Sequence, residues 1–130
     1  MSALGKWLTA VVAGVALVVG ARVLGASAQG PWVAPPEAKS VKNPVKGVGD
    51  AKKVVEANCV ICHGTSGHGD GPAAITPKPA NWASEAVQTE TDGAIFWKIS
   101  NGRGAMPPWK HLPEKERWEI VNYIRTLKGK

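Results

Sequence analysis

The sequence predicts a small all-α domain of three main helices joined by loops rich in glycine and proline. Three observations point to it. Apolar residues recur at helical spacing in three segments, ending in the stripe Ile120, Tyr123, Ile124, Leu127 at i, i+3, i+4 and i+7. No stretch shows the apolar–polar alternation of a half-buried strand. Both cysteines of the chain fall in one cluster, Cys59-Val60-Ile61-Cys62-His63, at the end of the first helical segment.

The elements follow in order. Lys6 supplies a short positive start, Trp7 to Ala21 is apolar except for Thr9, and Ala26-Ser27-Ala28 is a small-x-small cleavage signal. Residues 1–28 therefore read as a secretory signal peptide, with a retained membrane anchor over residues 7–28 as the alternative. A spanning helix needs about 17–25 apolar residues, and this run reaches that length only by passing Arg22 and three glycines. Residues 29–48 read as a proline-rich arm, because Pro31, Pro35, Pro36 and Pro44 favour extended, semi-rigid chain. Trp32 and Val33 suggest that part of the arm lies on the domain or on a partner.

The domain spans residues 49–130. Its first helix starts at Asp50, a residue type suited to the N-cap, and runs to the cysteines, with Cys59 and Cys62 at i and i+3 on one face. The second follows Thr91-Asp92, carries Ile95, Phe96 and Ile99, and stops at Asn101-Gly102. The third begins at Pro113; Glu114 and Glu116 suit its N-terminus and Arg125 its C-terminus. About 80 residues bury limited apolar area alone.

Two cysteines three apart with a histidine next to the second read as a c-type haem attachment site. Two thioethers would hold the porphyrin vinyl groups, and the adjacent imidazole would reach the iron. A thioredoxin-like dithiol would need a βαβ pattern nearby, and none is present. A structural zinc site would need about four Cys and His ligands, and adjacent Cys62 and His63 make awkward tetrahedral partners. A plain disulfide leaves His63 unexplained. A covalent plate of this size would give the helices an apolar surface to pack on.

Met106 is the sole methionine besides the initiator and sits in Gly104-Ala105-Met106-Pro107-Pro108-Trp109. Two prolines stiffen that loop, which suits a weak thioether ligand. Iron held by His63 and Met106 would have both axial positions filled, the pattern of electron transfer. His68 and His111 are the competing ligands. Buried indoles need an acceptor, and a propionate would supply one to Trp82 or Trp109. Arg103 is a third candidate for a propionate. Gly67-His68-Gly69-Asp70-Gly71-Pro72 lacks the lysine of a phosphate loop and the terminal glutamate of an EF-hand.

Lys and Arg outnumber Asp and Glu 16 to 10; Lys6 and Arg22 lie in the leader, which leaves 14 to 10 beyond it. That bias suits docking to the acidic face of a redox partner, with Lys78, Lys98, Arg103 and Lys110 as a candidate rim. It excludes nucleic acid, since no long basic run exists.

Together these residues resemble the class I cytochrome c family over about residues 49–130. Cys59-x-x-Cys62-His63, then Met106-Pro107, then Trp118-x-x-Val121-x-Tyr123-Ile124-Arg125-x-Leu127 stand in the family's order. The resemblance implies a domain of three main helices plus loops wrapped around one haem c. It also implies first and last helices that cross beside the haem, and a Pro72 carbonyl that accepts the proximal imidazole N–H. The segments around Gly64–Pro72, Lys78–Trp82 and Asp92–Gly102 are similar to bacterial mono-haem cytochromes in or near respiratory complexes, such as alternative complex III. The family's usual glycine and aromatic in the first helix are Ala51 and Val55 here.

The function implied is transfer of single electrons between respiratory or photosynthetic partners outside the cytoplasm, by a carrier and not an enzyme. Two alternatives stand beside it. One is a fixed haem subunit of a membrane oxidoreductase, with membrane contact only if the N-terminus is retained. The other is a haem enzyme or gas sensor with an open sixth site.

Overall fold

The computed structural model describes residues 30–130, and the leader expected over residues 1–28 lies outside them. Six helices occur among the described residues: α1 (Pro36–Lys39), α2 (Ala51–Asn58), α3 (Val60–His63), α4 (Glu85–Gln88), α5 (Asp92–Asn101) and α6 (Glu114–Arg125). None is long and apolar enough to cross a membrane. No strand accompanies them; the one isolated bridge is antiparallel, between Arg103 and Met106. The all-α expectation holds.

The core forms where α2 and α5 both pack on α6. Ala51 and Val55 from α2 meet Trp118, Val121 and Ile124 from α6, with Ile95 and Ile99 from α5 completing the cluster. Ala51 and Val121 are wholly buried, and Val55 nearly so. The small residue at position 51 lets two backbones approach where a larger side chain would hold them apart. Phe96 stacks on Trp118 with ring centroids 3.8 Å apart, so the aromatic partner of α6 comes from α5 rather than α2. The Arg117 guanidinium lies 4.7 Å from the Phe96 ring centre, and its Nε donates to the Leu112 carbonyl at 3.2 Å.

The caps match the sequence unevenly. Either Thr91 or Asp92 could cap α5, and Thr91 does: its Oγ1 accepts from the Ala94 N–H at 3.2 Å. Asp50 stands at the N-cap of α2 but makes no cap bond; its carboxylate accepts from Lys53 Nζ at 2.9 Å instead. The segment expected to run unbroken through the cysteines divides at Cys59, the residue between α2 and α3. Hydrogen bonds carry the chain across, from Cys59 N–H to the Val55 carbonyl and from His63 N–H to the Cys59 carbonyl. Short α4 has no apolar stripe, so no period announces it.

The arm from Pro31 onward belongs to the same compact unit as the helices. Ala34 is 2% exposed, and α1 packs on α5. Asn43 Nδ2 donates to Asn122 Oδ1 at 2.8 Å, while Asn122 Nδ2 donates to the carbonyls of Val45 and Gly47. The proline-rich arm, part of which was expected to lie on the domain or on a partner, is thus a strap fastened to α6 through Asn122. The strap also presses on Gly93 in α5. A Cβ there would collide with the Ala38 carbonyl oxygen and lie 2.7 Å from that of Val41.

Gly93→Ala tests this seating. In an open helix the change stabilises by about 1 kcal/mol. Here it should destabilise by about 1–3 kcal/mol, because backbone atoms must move. Amide exchange over residues 34–45 should accelerate, and unchanged exchange there would mean that the arm does not rest on α5.

Candidate haem site

The site is built from α3, the loop after it, and the turn after α5. Backbone bonds set the loop's path. Gly69 N–H donates to the His63 carbonyl, Gly71 N–H to that of Cys62, and Ala73 N–H to that of Ile61. The chain therefore doubles back along α3 before Trp82 N–H returns to the Gly67 carbonyl at 2.7 Å. Gly67 has φ +74°, a conformation that L side chains rarely adopt, and a Cβ on it would stand 2.6 Å from Trp82 Cε3.

His63 is 8% exposed. Its Nδ1 lies 3.2 Å from the Ala80 carbonyl oxygen. A carbonyl can only accept, so Nδ1 carries the proton and Nε2 keeps its lone pair. Burial pulls the imidazole's pKa below its ordinary value, against the opposing pull of the Ala80 bond. The ring is therefore a neutral donor at pH 7 with one free nitrogen, the state a metal requires.

This geometry corrects one expectation. The carbonyl facing Nδ1 belongs to Ala80, not Pro72. Pro72 is exposed and sits between Gly71 and Ala73, whose N–H groups hold it alongside α3 instead of across the imidazole. The Ala80 carbonyl takes the place expected for that of Pro72.

Cys59 and Cys62 are both half-buried and not joined to each other. Burial first, and the neighbouring Cys62 second, push the Cys59 thiol up to about 11. It is a protonated, apolar group at neutral pH, unlike the low-pKa nucleophile of a dithiol redox motif. Among the described residues, no three Cys, His, Asp or Glu side chains gather into a group able to hold a metal ion.

The turn after α5 places Met106. Arg103 and Met106 exchange backbone bonds of 2.8 and 3.0 Å. The Met106 carbonyl lies where a Cβ on Gly102 would stand, so the turn folds tightly against the end of α5. Trp109 N–H then donates to the Ile99 carbonyl at 3.1 Å. Met106, Trp109 and Leu112 are half-buried at the edge of the core, in company with Phe96, Cys59 and Val60. Ile61 and Ile75, beside the cysteines and in the following loop, are 57% and 59% exposed.

The other candidates fall in different places. Trp82 is buried, and its ring stacks on His63 with centroids 4.3 Å apart and planes 21° apart. Trp109 lies tilted against exposed His111, centroids 5.3 Å apart. His68 is exposed and lies 3.4 Å from the Lys130 carbonyl. Lys98 leaves the expected basic rim: it pairs with Glu90 and stands 5.5 Å from the Trp32 ring centre, with a side chain 18% exposed. Sequence reasoning missed the roles of Ala80 and Gln88. Gln88 Nε2 donates to both the Trp82 and Ile124 carbonyls. A backbone acceptor leaves no trace in residue type.

The residues present fit haem c. Two unpaired thiols and an imidazole with a free Nε2 fall within Cys59–His63, with Val60 half-buried and Ile61 exposed between them. An all-α fold with this site defines a class I c-type cytochrome. The family model described as "Cytochrome C oxidase, cbb3-type, subunit III" matches residues 47–124, and the chain belongs to that family.

Curated relatives agree. The chain is 33% identical over 93 residues to the cbb3-type cytochrome c oxidase subunit CcoP of Azospirillum sp. (strain B510), covering 63% of this chain but 29% of that protein. It is 32% identical over 81 residues to cytochrome c6 of Cladophora glomerata, covering 58% of this chain and 82% of that one. Among solved structures, the Kuenenia stuttgartiensis reducing HAO-like protein complex aligns with TM-score 0.57 and 29% identity, over 68% of this chain and 46% of its own. The c-type cytochrome KustC0563 aligns with TM-score 0.50 and 28% identity, over 61% of this chain and 98% of its own. The cofactor is one haem c, covalent through Cys59 and Cys62.

Proposed function

We propose that this chain is an exported single-haem carrier that passes electrons one at a time between redox proteins outside the cytoplasm. Cys59 and Cys62 would supply its thioether sulfurs, and His63 through Nε2 and Met106 through Sδ would ligate its iron. The observation that carries this reading is the Ala80 bond, which commits His63 to the tautomer with a free Nε2. The bound haem supplies a one-electron iron couple. Met106 contributes a soft ligand that favours the reduced iron, and its turn is stiffened by Pro107 and Pro108. Arg103 and Trp109 flank Met106 and are the groups suited to the propionates. Lys78 and Lys110 of the expected rim are exposed, as docking to an acidic partner requires.

A second reading is favoured by the matched family and by the CcoP relative: the chain is a fixed haem subunit of a membrane oxidoreductase. Co-purification from solubilised membranes, together with the mass of the native N-terminus, separates the two. A cleaved product free of partners supports the carrier.

Visible and near-infrared spectra of the native protein and Met106→Ala test the ligands. The wild type should show a methionine–iron charge-transfer band in the oxidised state, and the variant should lose it. Rapid CO binding to the reduced wild type, or no such band, would overturn Met106 ligation and favour a sensor or enzyme with an open sixth site.

A further inference from the structure

We propose that Trp82 is a positioning residue for His63, its stacked indole fixing the rotation of the imidazole and so the direction in which Nε2 offers its lone pair. The inference rests on His63 being an iron ligand and deepens that reading.

One hydrogen bond does not orient a ring. The Nδ1 contact to Ala80 is 3.2 Å, at the long end for N–H···O, and it leaves the imidazole free to swing about the Nδ1···O line. A second restraint must act across the ring plane. Trp82 supplies it, with centroids at 4.3 Å and planes within 21°. The hydrogen bond acts in the plane and the stack acts normal to it, so together they leave little rotation about the Cβ–Cγ bond.

Trp82 is itself braced. Its backbone N–H is bound by the Gly67 carbonyl, and its carbonyl accepts from Gln88 Nε2 at 2.7 Å. The same Gln88 nitrogen reaches the Ile124 carbonyl at 2.9 Å, which links the turn to α6. Behind the indole, the space a Gly67 Cβ would take is bounded by Trp82 Cε3 at 2.6 Å and Leu127 Cδ1 at 3.0 Å. The indole is 7% exposed and cannot retreat into solvent. Last helix, glutamine, indole and imidazole thus form one continuous support, the arrangement by which outer groups tune a metal.

The test uses holoprotein of the wild type, Trp82→Leu, Trp82→Phe and Gly67→Ala. Trp82→Leu removes the face, Trp82→Phe keeps a smaller one, and Gly67→Ala drives a methyl into the indole without altering it. The readouts are the spread of the paramagnetically shifted haem-methyl resonances, which follows imidazole orientation, and the redox equilibrium against a reference carrier. Trp82→Leu should change the methyl spread and move the equilibrium by about tenfold. Trp82→Phe should recover most of both, and Gly67→Ala should shift both in the same sense as Trp82→Leu. A wild-type methyl spread and equilibrium in Trp82→Leu, whatever its melting temperature, overturns the proposal. If Trp82→Leu fails to accumulate with haem, the other two variants decide it: wild-type spectra in Gly67→Ala overturn it. A wild type whose low-spin spectrum survives His63→Gln would overturn the ligand assignment itself, an outcome separate from any Trp82 result.

Discussion

Replacing Cys59 and Cys62 together by alanine is expected to abolish covalent haem. The two sulfurs are the chain's only cysteines, so nothing remains to form a thioether. The variant's polypeptide should carry no haem after denaturing electrophoresis, and acidified solvent should extract whatever pigment remains. The fold should suffer as well. Phe96, Met106, Trp109 and Leu112 are only half-buried by the chain itself, and Ile61 and Ile75 stand more than half exposed. A domain this small has little apolar area to lose. Each single variant keeps one sulfur and should keep haem on the polypeptide at lower yield. Full covalent retention in the double variant would overturn the attachment site.

Arg125→Ala should produce the largest loss of stability among changes away from the haem. Its guanidinium holds the chain between α4 and α5 against α6. Nε and Nη2 donate to Asp92 Oδ1 at 2.9 and 2.8 Å. Nη1 donates to the carbonyls of Val87 and Gln88, and Nη2 to that of Glu90. Asp92 is 37% exposed, so solvent screens the ion pair and its share is small. The three carbonyls contribute more, because they lose a charged donor together. A loss of about 3 kcal/mol is expected. For a domain of this size that lowers the melting temperature by roughly 12 °C or more. Arg125→Lys should recover little, since an ammonium cannot reproduce the planar fork. Melting of the holoprotein within about 2 °C of wild type would overturn this role.

Legibility varied with the kind of force involved. The attachment cluster, the α6 stripe and the Thr91 cap were readable because each depends on residue type at short spacing. Ala80 was not, because any residue offers a carbonyl and only the loop's path decides which one faces His63. That path is set by Gly69 and Trp82 bonding to distant backbone groups. The strap was legible only in part, through Trp32. Its hold consists of Asn122 reaching backbone carbonyls and of the bare face of Gly93, neither of which produces a period. Lys98 looked like a surface charge until the chain brought Glu90 and Trp32 beside it.

The packing of α2 on α6 ties the attachment segment to the far end of the chain. The cysteines end the first of these helices, yet that helix finds its partner only when residues 114–125 arrive, more than fifty positions later. In the folded chain His63 is buried and both thiols are half-covered. The last helix acts as a latch on the segment that carries them.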